Sequence, residues 1–120
     1  MDRVSFTQYQ GKKILIEDFS GLRPGPEFLD TIKAAQTAIT SQPPKSVLAL
    51  LDASNANYNA EIMGAMKEFV QANTPYIKCV AVVGVTGLLS VALTTLSKAA
   101  NRPFHSFATR QEALDFLATQ

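Results

Sequence analysis

Two short segments, residues 46–51 (SVLALL) and 77–83 (IKCVAVV), are apolar almost without a break. A strand with one face in water alternates polar and apolar residues, whereas a strand covered on both faces of a parallel sheet reads as a short continuous apolar run. The pair therefore predicts a buried parallel interior with 46–51 as its central strand. A sheet of that kind must be overlaid by helices.

Glycine and proline mark the remaining boundaries, because all six prolines and five of the six glycines fall between periodic segments. Residues 4–9 alternate Val4 and Phe6 with Ser5 and Thr7, and residues 12–19 alternate around Ile14 and Ile16. With Gln10-Gly11 between them, these predict a hairpin. The turn-rich stretch 21–26 ends at Pro26, suited to a first helical turn because the N–H it lacks would have no helical partner. A helix follows, with Phe28, Ile32, Ala35 and Ile39 on one face, and Pro43-Pro44 ends it. After the central strand an asparagine-rich loop, 52–59, leads into a second helix. Its inward residues are Ile62, Met63, Met66, Phe69 and Val70, and Asn73-Thr74-Pro75 closes it. Gly64 lies inside this helix, where it costs about 1 kcal/mol relative to alanine; close approach of helix to sheet is the expected reason. Residues 84–87 (GVTG) form a turn with Thr86 as the cap of a third helix, 88–100, which Asn101-Arg102-Pro103 stops. A short strand, 104–107, precedes a last helix in which Thr109 and Glu112 form a capping box and Ala113, Leu114 and Leu117 face inward. The order is β-β-α-β-α-β-α-β-α: an α/β sandwich with a mostly parallel, mixed sheet and four helices, one domain over residues 1–120.

Composition narrows the partners. Hydrophobic residues make up 47% of the 120 residues and charged ones 18%, which fits a chain folded throughout. A net charge of +1 gives no footprint for nucleic acid. The start, Met1-Asp2-Arg3-Val4-Ser5, has no apolar signal core behind it, and the longest apolar run, 80–85, is glycine-interrupted and too short to span a bilayer. A cytoplasmic protein without a membrane span is expected, and the single cysteine, Cys79, fits a reducing compartment and a packing role.

The order of elements over the whole chain resembles the STAS domain, the sulfate-transporter and anti-sigma-factor-antagonist family. The segment Val47-Leu48-Ala49-Leu50-Leu51-Asp52-Ala53-Ser54 is similar to that family's central strand ending in an Asp-x-Ser turn. The resemblance implies the fold and a regulatory or protein-interaction role, with the small stand-alone STAS-like proteins of bacteria as nearest relatives, a group also likened to Sec14-type lipid-binding domains. It does not imply the family's phosphoswitch. Anti-sigma-factor antagonists carry Asp-Ser-x-Gly at the start of the second helix, and that place here reads Asn57-Tyr58-Asn59-Ala60-Glu61, with tyrosine as its one hydroxyl. If regulation by phosphate extends to this chain, Ser54 is the serine at hand; otherwise Asp52 and Ser54 satisfy the loop's own backbone.

No residue pattern specifies a chemistry. The lone His105 has no cysteine or carboxylate in its segment, so neither a triad nor a metal site is indicated. Asp52→Asn and His105→Ala are expected to shift stability little. Glu17-Asp18, Asp52 and Thr86 at successive strand ends resemble the acidic site of a receiver domain, but only one helix separates Asp18 from Asp52 and no lysine follows the last strand. The two glycines of 84–87 lack the partners of a phosphate loop.

In open α/β sheets ligands bind outside the carboxyl ends of the strands, which makes Arg23, Asp52, Ser54, Asn57, Asn59 and Thr86 the candidate binding residues. Two readings follow, both without a cofactor. One is a non-enzymatic regulatory or protein-interaction module. The other is a carrier or sensor of a small or lipid-like apolar ligand. In the third helix Leu88, Leu89, Ala92, Leu93, Leu96, Ala99 and Ala100 share the inward side, and the outer side has Lys98 as its only charge. Ser90, Thr94 and Ser97 are thus candidate residues of a partner surface, most simply a homodimer.

Overall fold

The computed structural model describes residues 2–120; Met1 and the side chain of Leu88 lie outside the described residues. The chain forms β1 (Val4–Tyr9), β2 (Lys12–Asp18), α1 (Pro26–Thr40), β3 (Val47–Asp52), α2 (Ala60–Asn73), β4 (Ile77–Val83), α3 (Leu88–Ala100), β5 (His105–Phe107) and α4 (Arg110–Ala118). A single 3₁₀ turn over Thr74–Tyr76, which the sequence reading folded into a helix end, joins α2 to β4.

The five strands lie in sequence order, β1 antiparallel to β2 and the rest parallel. Gln10 and Gly11 both have positive φ, 48° and 81°, the signature of the tight hairpin turn whose twist matches its strands. β1 is the edge. Its Phe6, 37% exposed, is shielded by the Lys13 ammonium 4.3 Å from the ring centroid.

β3 and β4 are covered on both faces, as their unbroken apolar runs require. Val47, Ala49, Val80 and Val82 pack toward α1, α2 and α3, whereas Leu48, Leu50, Cys79, Ala81 and Val83 pack toward α4. The distribution of three helices to one follows from the strand order. Crossovers of one hand that all step the same way across the sheet put their helices on one face, and α1, α2 and α3 do share one. Only α4, which follows the last strand, closes the other. Burying a leucine such as Leu50 fully contributes about 1.5–3 kcal/mol.

Three local expectations need correcting. A Cβ built on Gly64 would meet nothing within 4 Å, so the glycine serves no close approach to the sheet. Thr86 does not cap α3 with its side chain: Gly87 holds the cap position without a side-chain bond, and Thr86 offers its backbone carbonyl to Leu89 N at 3.1 Å. At α4 the capping box is half formed. Thr109 Oγ1 accepts from Glu112 N at 3.2 Å, but the Glu112 carboxylate accepts from the Thr109 hydroxyl rather than from its N–H.

Candidate functional site

The loops at the carboxyl ends of the strands do converge, but the sequence-predicted residues divide into three groups. The first is a charged network. Asp52, 6% exposed, ends β3, and its Oδ1 accepts from Ser54 N at 2.9 Å, the loop-satisfying role expected of it. Its Oδ2 accepts from Arg110 Nε at 2.7 Å. Arg110 also approaches Asp18 Oδ1 at 3.5 Å, and Arg3 lies 3.8 Å from the same oxygen and 3.3 Å from Glu27. Burial alone would raise the Asp52 pKa; the Ser54 hydrogen bonds and the Arg110 guanidinium outweigh it and hold the carboxyl below its ordinary value. Asp52 is therefore a buried ion-pair partner as well as a turn residue, which the sequence reading did not see. Arg110 was missed because it lies 58 positions away; the one signal was a cation directly following the Thr109 cap.

Gly84 holds this network's loop in place. It adopts φ +83°, and a Cβ there would come 2.2 Å from Ser54 Oγ and 2.6 Å from Ser54 Cα. The turn after β4 thus lies against the backbone of Ser54, and the half-buried serine is wedged between Asp52 and Gly84.

Arg23, Asn57 and Thr86 form the second group. They line one open groove of about 810 Å³ together with Tyr58 and Leu89. The loop carrying Asn57 is fixed there by Asn57 N donating to Leu22 O at 2.9 Å and Gly21 N donating to Ser54 O at 2.8 Å. Arg23 is exposed and makes no ion pair among the described residues. Asn59 does not join the groove's lining: its side chain caps α2, Oδ1 accepting from Ile62 N at 2.9 Å.

Behind the groove lies a cavity of about 70 Å³ between α2, α3 and the sheet, with Phe19, Phe28, Ile62, Met66 and Leu93 among its walls. Asn57, Tyr58 and Leu89 line both spaces, so the groove is the mouth of the cavity. No helix among the described residues is long and apolar enough to cross a membrane, and no cluster of three metal-ligating side chains occurs among them.

On α3 the hydroxyls turn inward to the helix. Ser90 donates to Gly87 O at 2.7 Å, Thr94 to Ser90 O at 3.1 Å and Thr95 to Val91 O at 3.2 Å. Ser90, Thr94 and Thr95 are exposed beside Val91, itself 64% exposed. Ser97 is only half-buried surface, and its hydroxyl donates to Arg102 O at 2.5 Å at the helix end. The His105 ring packs against Phe116 at a tilted angle, ring centroids 4.7 Å apart, and burial pushes up the pKa of the Cys79 thiol.

No protein-family model matches the sequence, and no curated protein matches it. Among solved structures, the chain is similar to an anti-sigma-factor antagonist (STAS) domain protein from Planctomyces limnophilus, at a TM-score of 0.59, 11% sequence identity and 98% coverage of each chain. At that identity the likeness is one of fold. The likeness covers nearly the whole of both chains, and the fold of this protein is STAS-like.

Proposed function

We propose that the protein is a non-enzymatic, regulatory interaction module that receives a segment of a protein partner in the groove at the carboxyl ends of its strands. The observation that carries this reading is the groove itself: about 810 Å³, open, and bordered by an unpaired cation at Arg23 and the asparagine loop. A surface that shallow suits a chain segment more than an enclosed small molecule. The STAS-like fold supports a regulatory role. The test begins with partners retrieved by the tagged protein from its native host. Once one is identified, Arg23→Glu should weaken its binding at least tenfold, while His105→Ala, on the α4 side of the sheet, should not. Equal affinity for wild type and Arg23→Glu would refute the groove as the partner site.

A second reading is favoured by the 70 Å³ cavity behind the groove, whose walls are almost wholly apolar. Native proteins leave few such voids, because unfilled space forfeits dispersion contacts. In this reading the cavity holds a small apolar ligand that enters past Tyr58 and Leu89. Native mass spectrometry of protein purified from its own host should show an added small mass that denaturation releases.

A further inference from the structure

Beneath α2 and α3 a second, smaller space of about 30 Å³ differs in kind from the apolar cavity. Glu17, Asn73 and Arg102 line it, and each has a buried polar atom without a hydrogen-bond partner: Glu17 Oε1, Asn73 Oδ1 and Arg102 Nε. Among the described residues only Gln36 Oε1 is left in the same condition. Glu17 and Asn73 are 3% and 2% exposed, too deep for bulk water. An unpaired buried group of this kind costs about 1–3 kcal/mol, so three converging on one space point to something that satisfies them.

The three are held in position. Glu17 lies in β2 beside Leu51 of β3, Asn73 ends α2, and Arg102 follows α3. The Arg102 Nη2 group is already committed, donating to Thr74 O at 3.3 Å and Ile77 O at 3.0 Å, which leaves Nε for another acceptor. Burial pushes the Glu17 pKa up to about 8, so near neutral pH the space presents a neutral acid. Leu51 and Phe104 line both this space and the apolar cavity, so the two spaces adjoin.

We infer that the two spaces are one chamber for a small uncharged amphiphile, whose apolar body fills the larger cavity and whose single hydroxyl reaches Glu17, Asn73 and Arg102. The inference rests on the apolar-ligand reading above and adds the ligand's class. A hydroxyl donates one proton and accepts on its lone pairs, matching an acceptor at Asn73 Oδ1 and a donor at Arg102 Nε. A carboxylate has no proton for Asn73, and an ammonium has no lone pair for Arg102. The larger cavity, at about 70 Å³, is about half the ~150 Å³ that holds benzene, so the body is short: about two to three carbons fill it, and a chain of about five reaches its mouth at the groove.

The probes are 1-pentanol and pentane, titrated into the ¹⁵N-labelled full chain and followed by amide shifts at the cavity. In a purely apolar cavity the alcohol binds more weakly, because its hydroxyl loses water and gains nothing. The inference expects the reverse, 1-pentanol at least tenfold tighter than pentane, and expects Glu17→Met and Asn73→Leu each to abolish that preference while pentane still binds. If one variant fails to fold, the other and the wild-type comparison still decide. Pentane binding as tightly as 1-pentanol, the result if a water alone serves these atoms, overturns the inference and leaves the apolar-ligand reading standing. A preference that survives both variants also overturns it. Binding of neither probe removes the apolar-ligand reading and this inference with it.

Discussion

Glu17→Gln should stabilise the protein at neutral pH, and the size of the effect follows from a buried carboxyl that keeps its proton. Burial raises the Glu17 pKa from 4.5 to about 8. Between those values the folded state binds one proton that the unfolded chain has lost, so the free energy of unfolding falls by about 1.4 kcal/mol per pH unit. The stability that Glu17 allows is complete below pH 4.5, declines as pH rises, and is lowest above about pH 8. At pH 7 the accumulated loss is about 3 kcal/mol. Glutamine has nearly the same shape and never ionises, so it escapes this loss. Its extra buried N–H offsets about 1 kcal/mol of the gain, leaving about 2 kcal/mol in the variant's favour at pH 7. The assay is urea unfolding followed by circular dichroism at pH 5, 6, 7 and 8, wild type against variant. Every other titrating group is common to both chains, so the difference between the curves reports Glu17 alone. The variant should be the less stable at pH 5 and the more stable at pH 7 and 8. Parallel curves, with one constant offset across the four pH values, would refute the reasoning, because they would mean that Glu17 titrates alike in folded and unfolded chains.

Asp52→Asn should cost about 1–2 kcal/mol in urea unfolding, at the low end for a charged hydrogen bond because Arg110 is 44% exposed and its pairing is screened. The lowered Asp52 pKa contributes stability that is present above the unfolded value of 3.8 and lost as pH falls through the folded one, so the variant should show a shallower acid limb below about pH 4. Gly64→Ala, at an exposed helical site where a methyl meets open space, should raise stability by up to about 1 kcal/mol in the same assay. Gly84→Ala should lower it by several times that amount, since its Cβ would lie 2.2 Å from Ser54 Oγ at a φ of +83°, and a wild-type-like midpoint would mean the loop moves aside. Self-association through α3 predicts a wild-type dimer and a Thr94→Arg monomer by analytical ultracentrifugation, because the substitution sets like charges across the two-fold axis; a monomeric wild type at high concentration rules it out.

Much of the fold was legible in the sequence because its signals are local. A run such as VLALL needs no partner to declare that both its faces are covered, Gln10-Gly11 and Pro26 state their backbone preferences by themselves, and Thr109 carries its own cap. These fix element type and order, and the order of elements sufficed for the STAS resemblance that the solved structure bears out. The groove is legible in part for the same reason: strand ends can be counted along the chain, and of the six residues expected there Arg23, Asn57 and Thr86 line it.

Only the tertiary structure decided what those residues meet. Asp52 pairs with Arg110 across 58 positions, Gly84 abuts Ser54, and Asn59, read as a ligand residue, is committed to capping α2. The burial of Glu17 left a faint trace, since it shares strand parity with Leu15 and Phe19, both of which lie in the core facing α1, α2 and α3. Nothing in the chain placed Asn73 and Arg102 at the same space. Backbone preference and periodicity act within a few residues and survive in a string of letters. The pairing of distant polar groups depends on how layers stack, and a space that leaves three of them unsatisfied exists only once the helices have closed over the sheet.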